Sequence, residues 1–228
     1  LFDDKSTYRQ PLRRISKHLR ILRIYAPAEL LRLYRAMAER RAANVDEQEI
    51  IFLEPEKWQT QLKDIKLQML KDSLEKAAAE HIGRVDHTEM LRGAVDGLLL
   101  MLSTRGLAKS FPQIEDEENL QRFRNHLDVV SAKLKAPNRK VGLLEAELIL
   151  DKIISLNKKT LDFPERVIVF ELMEGAIDQL DDFSAVIWPA QLEHFSRSTR
   201  GKFTGVGIQI ARKINPKLGR HEILVVTP

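Results

Sequence analysis

Apolar residues recur at three- and four-residue steps over most of this chain, then switch to alternation near its end. Leu12, Ile15, Leu19 and Leu22 make the first stripe, the signature of an amphipathic helix with one face turned to a core. Pro27 suits the first turn of a second helix, which carries Leu30, Leu31, Tyr34 and Met37. A long third helix is expected from Pro55 to about Ala79, with Trp58, Leu62, Ile65 and Met69 on one stripe and Leu67, Leu70 and Leu74 beside it. Two apolar stripes on one helix imply burial between neighbours.

Asp86, with Glu89 three residues later, resembles a capping box. It opens a helix whose inner face is Leu91, Ala94, Val95, Leu98 and Leu102 and whose end is expected at Gly106. The acidic run Glu115-Asp116-Glu117-Glu118 stands where the next helix begins. Negative charge there offsets the positive end of the helix dipole, a reading preferred to a metal site. Leu120, Phe123, Leu127, Val130 and Leu134 follow in heptad spacing until Ala136-Pro137-Asn138 breaks the pattern. Residues 142–158 form another helix, with Ala146, Ile149, Leu150 and Ile153 inward. Asp162-Phe163-Pro164 then predicts a start, Asp162 as the cap and Pro164 at the first helical position. Val167, Phe170, Met173, Ile177 and Leu180 are its buried stripe. From Gly201 the period becomes two: Ile208 and Ile210 alternate with Gln209 and Ala211, Asn215-Pro216 and Gly219 supply a turn, and Ile223 to Val226 return as a strand.

Leu91-Arg92-Gly93-Ala94-Val95-Asp96 and Met173-Glu174-Gly175-Ala176-Ile177-Asp178 match in pattern 82 residues apart. In both, the Gly-Ala pair lets a neighbouring helix approach closely, and duplication is favoured over convergent helix packing. The chain has 228 residues and 43% hydrophobic content, enough for one or two packed domains, and no apolar run approaches the ~20 residues of a membrane span. With no cysteine, disulfides, thiol catalysis and cysteine-ligated metal are excluded. The chain opens at Leu1 and closes at Thr227-Pro228 just after a strand, which reads as a fragment or a trimmed product. The net charge of +4 is uneven: residues 1–41 hold eleven Lys/Arg against four Asp/Glu, a balance of +7, and the remainder carries −3. Such an arm attracts nucleic acid, anionic lipid or an acidic protein surface, although the solvated face of a helix is the plainer reading. Tyr8, Tyr25 and Tyr34 do not alternate with basic residues as a base-stacking surface requires.

The six histidines form no His-Glu-x-x-His motif and no ligand pair four residues apart, so a helical zinc site has no support. His81 and His87 flank a helix junction and read as boundary residues. No nucleophile elbow or phosphate-binding Gly-Lys-Ser/Thr loop is present. Asp178, Asp181 and Asp182 cluster at a helix C-terminus, where the dipole opposes negative charge, and are read as non-catalytic. The informative segment is Gly205-Val206-Gly207-Ile208, directly before a strand. Glycines in such a loop permit positive φ and aim backbone N–H groups into one concavity that can hold a carboxylate. An extended peptide can continue as an added strand along the following edge, past Ile210. The plain alternative is a hairpin lead-in.

The order Leu180-Asp181-Asp182-Phe183-Ser184, Ile187-Trp188-Pro189, Gly201-Lys202-Phe203-Thr204-Gly205-Val206-Gly207-Ile208 and Leu224 to Pro228 resembles a junction in carboxyl-terminal processing (tail-specific) peptidases. There a helix ends in Leu-Asp-Pro-His-Ser, a short helix follows, and the chain enters a PDZ domain through Gly-x-Phe-x-Gly-Ile-Gly-Ile. This sequence departs at Asp182 and Phe183, which puts the local turn in doubt. Spacing, charge and the internal match give a mainly α fold, a helical domain over 1–200 with a basic arm at 1–41 and possible repeat units at about 55–135 and 142–200; the resemblance makes 201–228 the first strands of an incomplete PDZ-like β domain. It implies a serine endopeptidase with a Ser/Lys dyad lying outside this sequence, so no residue here is catalytic. Substrate binding falls to Gly205, Val206, Gly207, Ile208 and Ile210, with no metal or cofactor. The implied partners are C-terminal tails of protein substrates and, through the helices, a second copy or an adaptor. Nucleic acid is not expected, and the implied location is the cell envelope, periplasm or exterior. The alternatives are a non-enzymatic helical docking or oligomerisation protein with a degenerate PDZ segment and, less favoured, a basic nucleic-acid-binding module.

Overall fold

A computed structural model describes residues 5–42, 52–53, 57–83, 85–181, 183–199, 209–215 and 220–227. The fold is mainly helical. Its elements begin with α1 (Lys5–Tyr25), α2 (Pro27–Ala42), β1 (Phe52–Leu53), α3 (Trp58–Gln61) and α4 (Leu67–Glu80). They continue with α5 (His87–Ser103), α6 (Glu117–Leu134), α7 (Leu143–Lys159), α8 (Glu165–Ile177), α9 (Leu192–Thr199), β2 (Gln209–Asn215) and β3 (Arg220–Thr227). Two compact units result, one of residues 59–192 and one of 1–58 together with 193–228. Residues 1–58 thus group with the C-terminal strands.

The unit of residues 59–192 is built on α5 and α8, with α4, α6 and α7 packed around them. α8 is buried almost all round, from Val167 to Met173 and again at Gly175 and Ala176, which places it at the centre rather than on a surface. Its contact with α5 is backbone to backbone. A Cβ added at Gly93 would lie 2.2 Å from the Gly175 carbonyl oxygen, and one at Gly175 would lie 2.2 Å from the Gly93 carbonyl oxygen. The two matching Gly-Ala segments are therefore each other's neighbours. Phe111 and Phe163 meet edge to face at 5.1 Å, and Lys71 pairs with Asp151 at 2.8 Å between α4 and α7.

Several helix starts follow local chemistry. Asp86 accepts the Glu89 N–H at 3.0 Å, and Leu91, Ala94, Val95, Leu98 and Leu102 are all buried. Asp116 accepts the Asn119 N–H at 3.0 Å, so the acidic run does cap α6. At the other end of α6, Arg92 donates to the Leu134 carbonyl at 2.7 Å, a cation where the helix dipole is negative.

Three expectations are corrected. The helix forecast from Pro55 to Ala79 is two helices, since Asp64 turns left-handed at φ 63° between α3 and α4; Pro55 lies outside the described residues. Leu62 and Ile65, in the connection, are still buried. Asp162 does not cap α8: it is itself left-handed at φ 47°, and Pro164 is the cap position rather than the first helical residue. The junction is held instead by Asn157, whose side chain accepts the Phe163 N–H at 3.1 Å and donates to the Phe163 carbonyl at 2.8 Å. In α1, Leu12 and Ile15 are 61% and 53% exposed, and burial falls on Ile21, Leu22 and Tyr25.

Asn157 is 1% exposed, so Asn157→Ala leaves both main-chain groups of Phe163 without their partner in the interior. Each such group costs about 1–3 kcal/mol. Chemical denaturation should read a loss of about 2–4 kcal/mol with an unchanged m-value. A loss under about 0.5 kcal/mol would mean that water or a shifted loop replaces the side chain.

The unit of residues 1–58 and 193–228 contains α1 and α2 as a helical pair, with Tyr25 edge-on to Trp58 at 6.2 Å. Its sheet has the order β1-β2-β3, all antiparallel. β2 and β3 are thus the predicted returning strands, joined by a segment outside the described residues. β1 is an addition that periodicity did not reveal.

Candidate functional site

The junction begins where α8 ends. Asp181 accepts two bonds on one carboxylate oxygen, from the Phe183 N–H at 2.9 Å and the Ser184 hydroxyl at 3.0 Å, and its carbonyl accepts the Ser184 N–H at 3.2 Å. Asp and Ser three residues apart therefore form a self-contained turn. Phe183 contributes its main-chain N–H while its side chain is 96% exposed; Asp182 lies outside the described residues. The turn is made by Asp181 and Ser184, the second and fifth residues of the Leu180–Ser184 segment.

The other Asp181 carboxylate oxygen lies 3.2 Å from His81 Nε2. Gly83 donates its N–H to His81 Nδ1 at 3.1 Å, so Nδ1 is the acceptor nitrogen and the neutral ring carries its proton on Nε2, facing Asp181. The Ser184 hydroxyl, the Phe183 N–H and His81 together hold the Asp181 carboxyl below the usual carboxylate range, the Ser184 bond being the largest cause. Ser184 and His81 touch opposite oxygens of one carboxylate, which links them. Through Asp181 the trio ties together the loop after α4 and the turn after α8. His81 and Asp181 are 100 residues apart, and no sequence signal linked them.

The next anchor is Trp188. It is buried, tilted over Phe170 with ring centroids 4.8 Å apart, and its indole N–H donates to Glu174 at 3.2 Å. Gln191 closes the turn that follows: its N–H donates to the Trp188 carbonyl at 2.8 Å and its side-chain oxygen accepts the Trp188 N–H at 3.3 Å. Ile187-Trp188-Pro189 is thus a clasp on α8 ahead of the short helical turn Pro189–Gln191 and α9.

Of the expected binding residues, Gly205, Val206, Gly207 and Ile208 lie outside the described residues. Ile210 lies in β2, paired with Val225 next to a register shift between Gln209 and Ile210. On its other edge β2 pairs with β1 at Lys213 and Ile214 only. Among the described residues, the main chain of Gln209 to Arg212 on that edge has no strand partner. Ile223, Val225 and Val226 of β3 are exposed. Alternation sends Val225 and Val226 to opposite faces of the strand.

Among the described residues, no group of three or more His, Asp or Glu is placed to hold a metal ion, and no helix is long and apolar enough to cross a membrane. His126 on α6 has a buried Nε2 without a hydrogen-bond partner among them. Burial, with Lys133 and Lys152 adding repulsion, lowers its pKa from 6.5. Between those two values the unfolded chain takes up a proton that the folded chain refuses. Stability should therefore fall as pH drops through about 6.5, and level off below the folded pKa. His126→Gln should flatten this slope in denaturation series taken between about pH 7.5 and 5; an unaltered slope would assign the effect elsewhere.

No protein-family model, no curated protein and no solved structure matches this chain.

Proposed function

We propose that this chain is the helical region and opening PDZ strands of a carboxyl-terminal processing serine peptidase, acting in substrate-tail recognition, assembly or gating. The Ser/Lys dyad belongs to sequence outside it, and the family reading carries with it an envelope, periplasmic or extracellular location. The observation that carries the proposal is the order of parts from Leu180 to Thr227. An Asp-Ser turn closes α8, a buried Trp clasps the chain to that helix, and a Gly-rich segment then leads into an antiparallel pair of strands.

The stretch Gln209 to Arg212, which has no strand partner on one edge among the described residues, supports the binding role. A substrate tail adding there as a strand would hydrogen-bond along Gln209 to Arg212, with its terminal carboxylate toward the Gly205–Gly207 loop. β1, paired at Lys213 and Ile214, would limit the tail's run on that edge. The apolar side chains of β3 left uncovered fit strands that await the rest of a PDZ core.

Gly207→Val in the full-length protein tests the loop. Affinity for a peptide with an apolar free C-terminus should fall about tenfold or more, while an amidated control binds weakly to both forms. Unchanged affinity would overturn the loop's role. A reading frame that closes soon after Pro228, supplying no Ser/Lys pair, would overturn the peptidase assignment.

A further inference from the structure

We propose that β1 is a built-in stand-in for the upstream part of a substrate tail, holding the far end of the β2 edge until a longer tail displaces it. On the tail-binding reading of β2, on which this rests, the terminal carboxylate lies toward the Gly205–Gly207 loop. That loop precedes Gln209 in the chain. A tail ending there runs antiparallel to β2, its earlier residues falling opposite Ile210, Ala211 and Arg212 in turn. β1 lies on this same edge, β3 taking the other, and runs in this same direction. It pairs antiparallel with β2, Phe52 opposite Ile214 and Leu53 opposite Lys213, and so heads toward Arg212. A tail of more than about four residues next needs Lys213 and Ile214, which β1 already holds.

The hold is weak by the standard of ordinary strands, which run to roughly three to ten residues. β1 has two. Backbone groups alternate in direction along a strand, so only one of Lys213 and Ile214 turns its N–H and C=O to this edge. Such a contact can be exchanged, because an incoming strand offers the same main-chain groups in the same orientation. What favours β1 is its tether. Ala42 ends α2 ahead of it and Trp58 opens α3 behind it, which keeps it near β2 at an effective concentration on the order of millimolar. A tail confined to Gln209–Arg212 leaves β1 in place, whereas a longer one must displace it and loses part of its added affinity. By the same linkage, a bound long tail frees β1.

Titration of the full-length protein with two peptides tests it, one of four residues and one of eight, sharing the same apolar C-terminal four and each with a free carboxylate. In the parent the longer peptide should bind within about twofold of the shorter. Phe52→Gly with Leu53→Pro removes the β1 ladder, and should raise affinity for the longer peptide about tenfold while leaving the shorter unchanged. The shorter peptide thus reports whether the variant keeps its β2 edge. Hydrogen exchange on the parent decides the matter if the variant does not fold: amide protection at Phe52–Leu53 should fall when the longer peptide binds and persist with the shorter. Protection that persists with the longer peptide bound would show that β1 and the tail do not compete, and the proposal fails. Equal affinities for both peptides in parent and variant would overturn it as well. If neither peptide binds, or amidated peptides bind as tightly as the free acids, the tail reading itself falls and takes this role of β1 with it.

Discussion

Gly175→Ala should be among the most damaging single-atom changes in this protein. The new methyl carbon would be built 2.2 Å from the Gly93 carbonyl oxygen and 3.1 Å from the Ala94 Cα. Both obstacles are main chain of a packed helix, so no side chain can swing aside. α5 and α8 must separate, opening a contact in the middle of the core. Overpacking commonly costs 1–3 kcal/mol, and a rigid backbone obstacle places this change at about 3 kcal/mol or more. For a chain of this size the melting temperature should fall by roughly 6–12 °C. Gly93→Ala should behave alike, since its methyl would meet the Gly175 oxygen at the same 2.2 Å. The double variant should cost much less than the sum, because helices already parted for one methyl admit the other. Strict additivity would refute the direct contact. Gly142→Ala is the packing control: nothing lies within 4 Å of its added carbon, and the loss should stay within about 1 kcal/mol, that of a poorer N-cap for α7.

Trp188→Ala is expected to have the second-largest effect. Removing a buried Trp typically costs 3–5 kcal/mol, here by stripping the cover from Phe170 and leaving Glu174 without the indole N–H. The clasp lies close to the end of its unit, so the segment 183–191 can detach before the helices melt. Limited proteolysis should then cut within that segment at protease levels the parent resists. Trp188→Phe keeps the ring contact and loses only the hydrogen bond, a cost of about 1 kcal/mol. If Trp188→Ala neither lowers stability nor exposes the segment, the clasp is incidental.

Much of the helical unit was legible because its signals are local. Asp86 and Asp116 cap helices through side chains reaching three residues ahead, and the inner faces of α5 and α6 follow from spacing alone. The failures share one cause: the deciding interaction lies elsewhere in the fold or in a backbone torsion with weak sequence preference. Asp64 breaks the forecast helix without Gly or Pro, because an aspartate can enter the left-handed region at modest cost. Asp162 has cap chemistry, but Asn157 holds that junction from the preceding helix. The stripe in α1 reported an amphipathic helix correctly, yet periodicity cannot say what covers a face, and Leu12 and Ile15 are exposed. At the candidate site, the Asp181–Ser184 turn and the Trp188 anchor explain why those residue types stand there, whereas the link to His81 carried no sequence trace.

The pairing of β1 with β2 has a consequence for biosynthesis. Leu53 lies 160 positions ahead of its partner Lys213, and the whole of 59–192 falls between them as one uninterrupted stretch. On a ribosome that stretch emerges complete and can fold while its flanking unit is still missing half its parts. Within the first 58 residues α1 and α2 can pair with each other at once, whereas β1 must wait for β2 to appear. Translation order therefore leaves β1 without its strand partner until most of the chain has emerged.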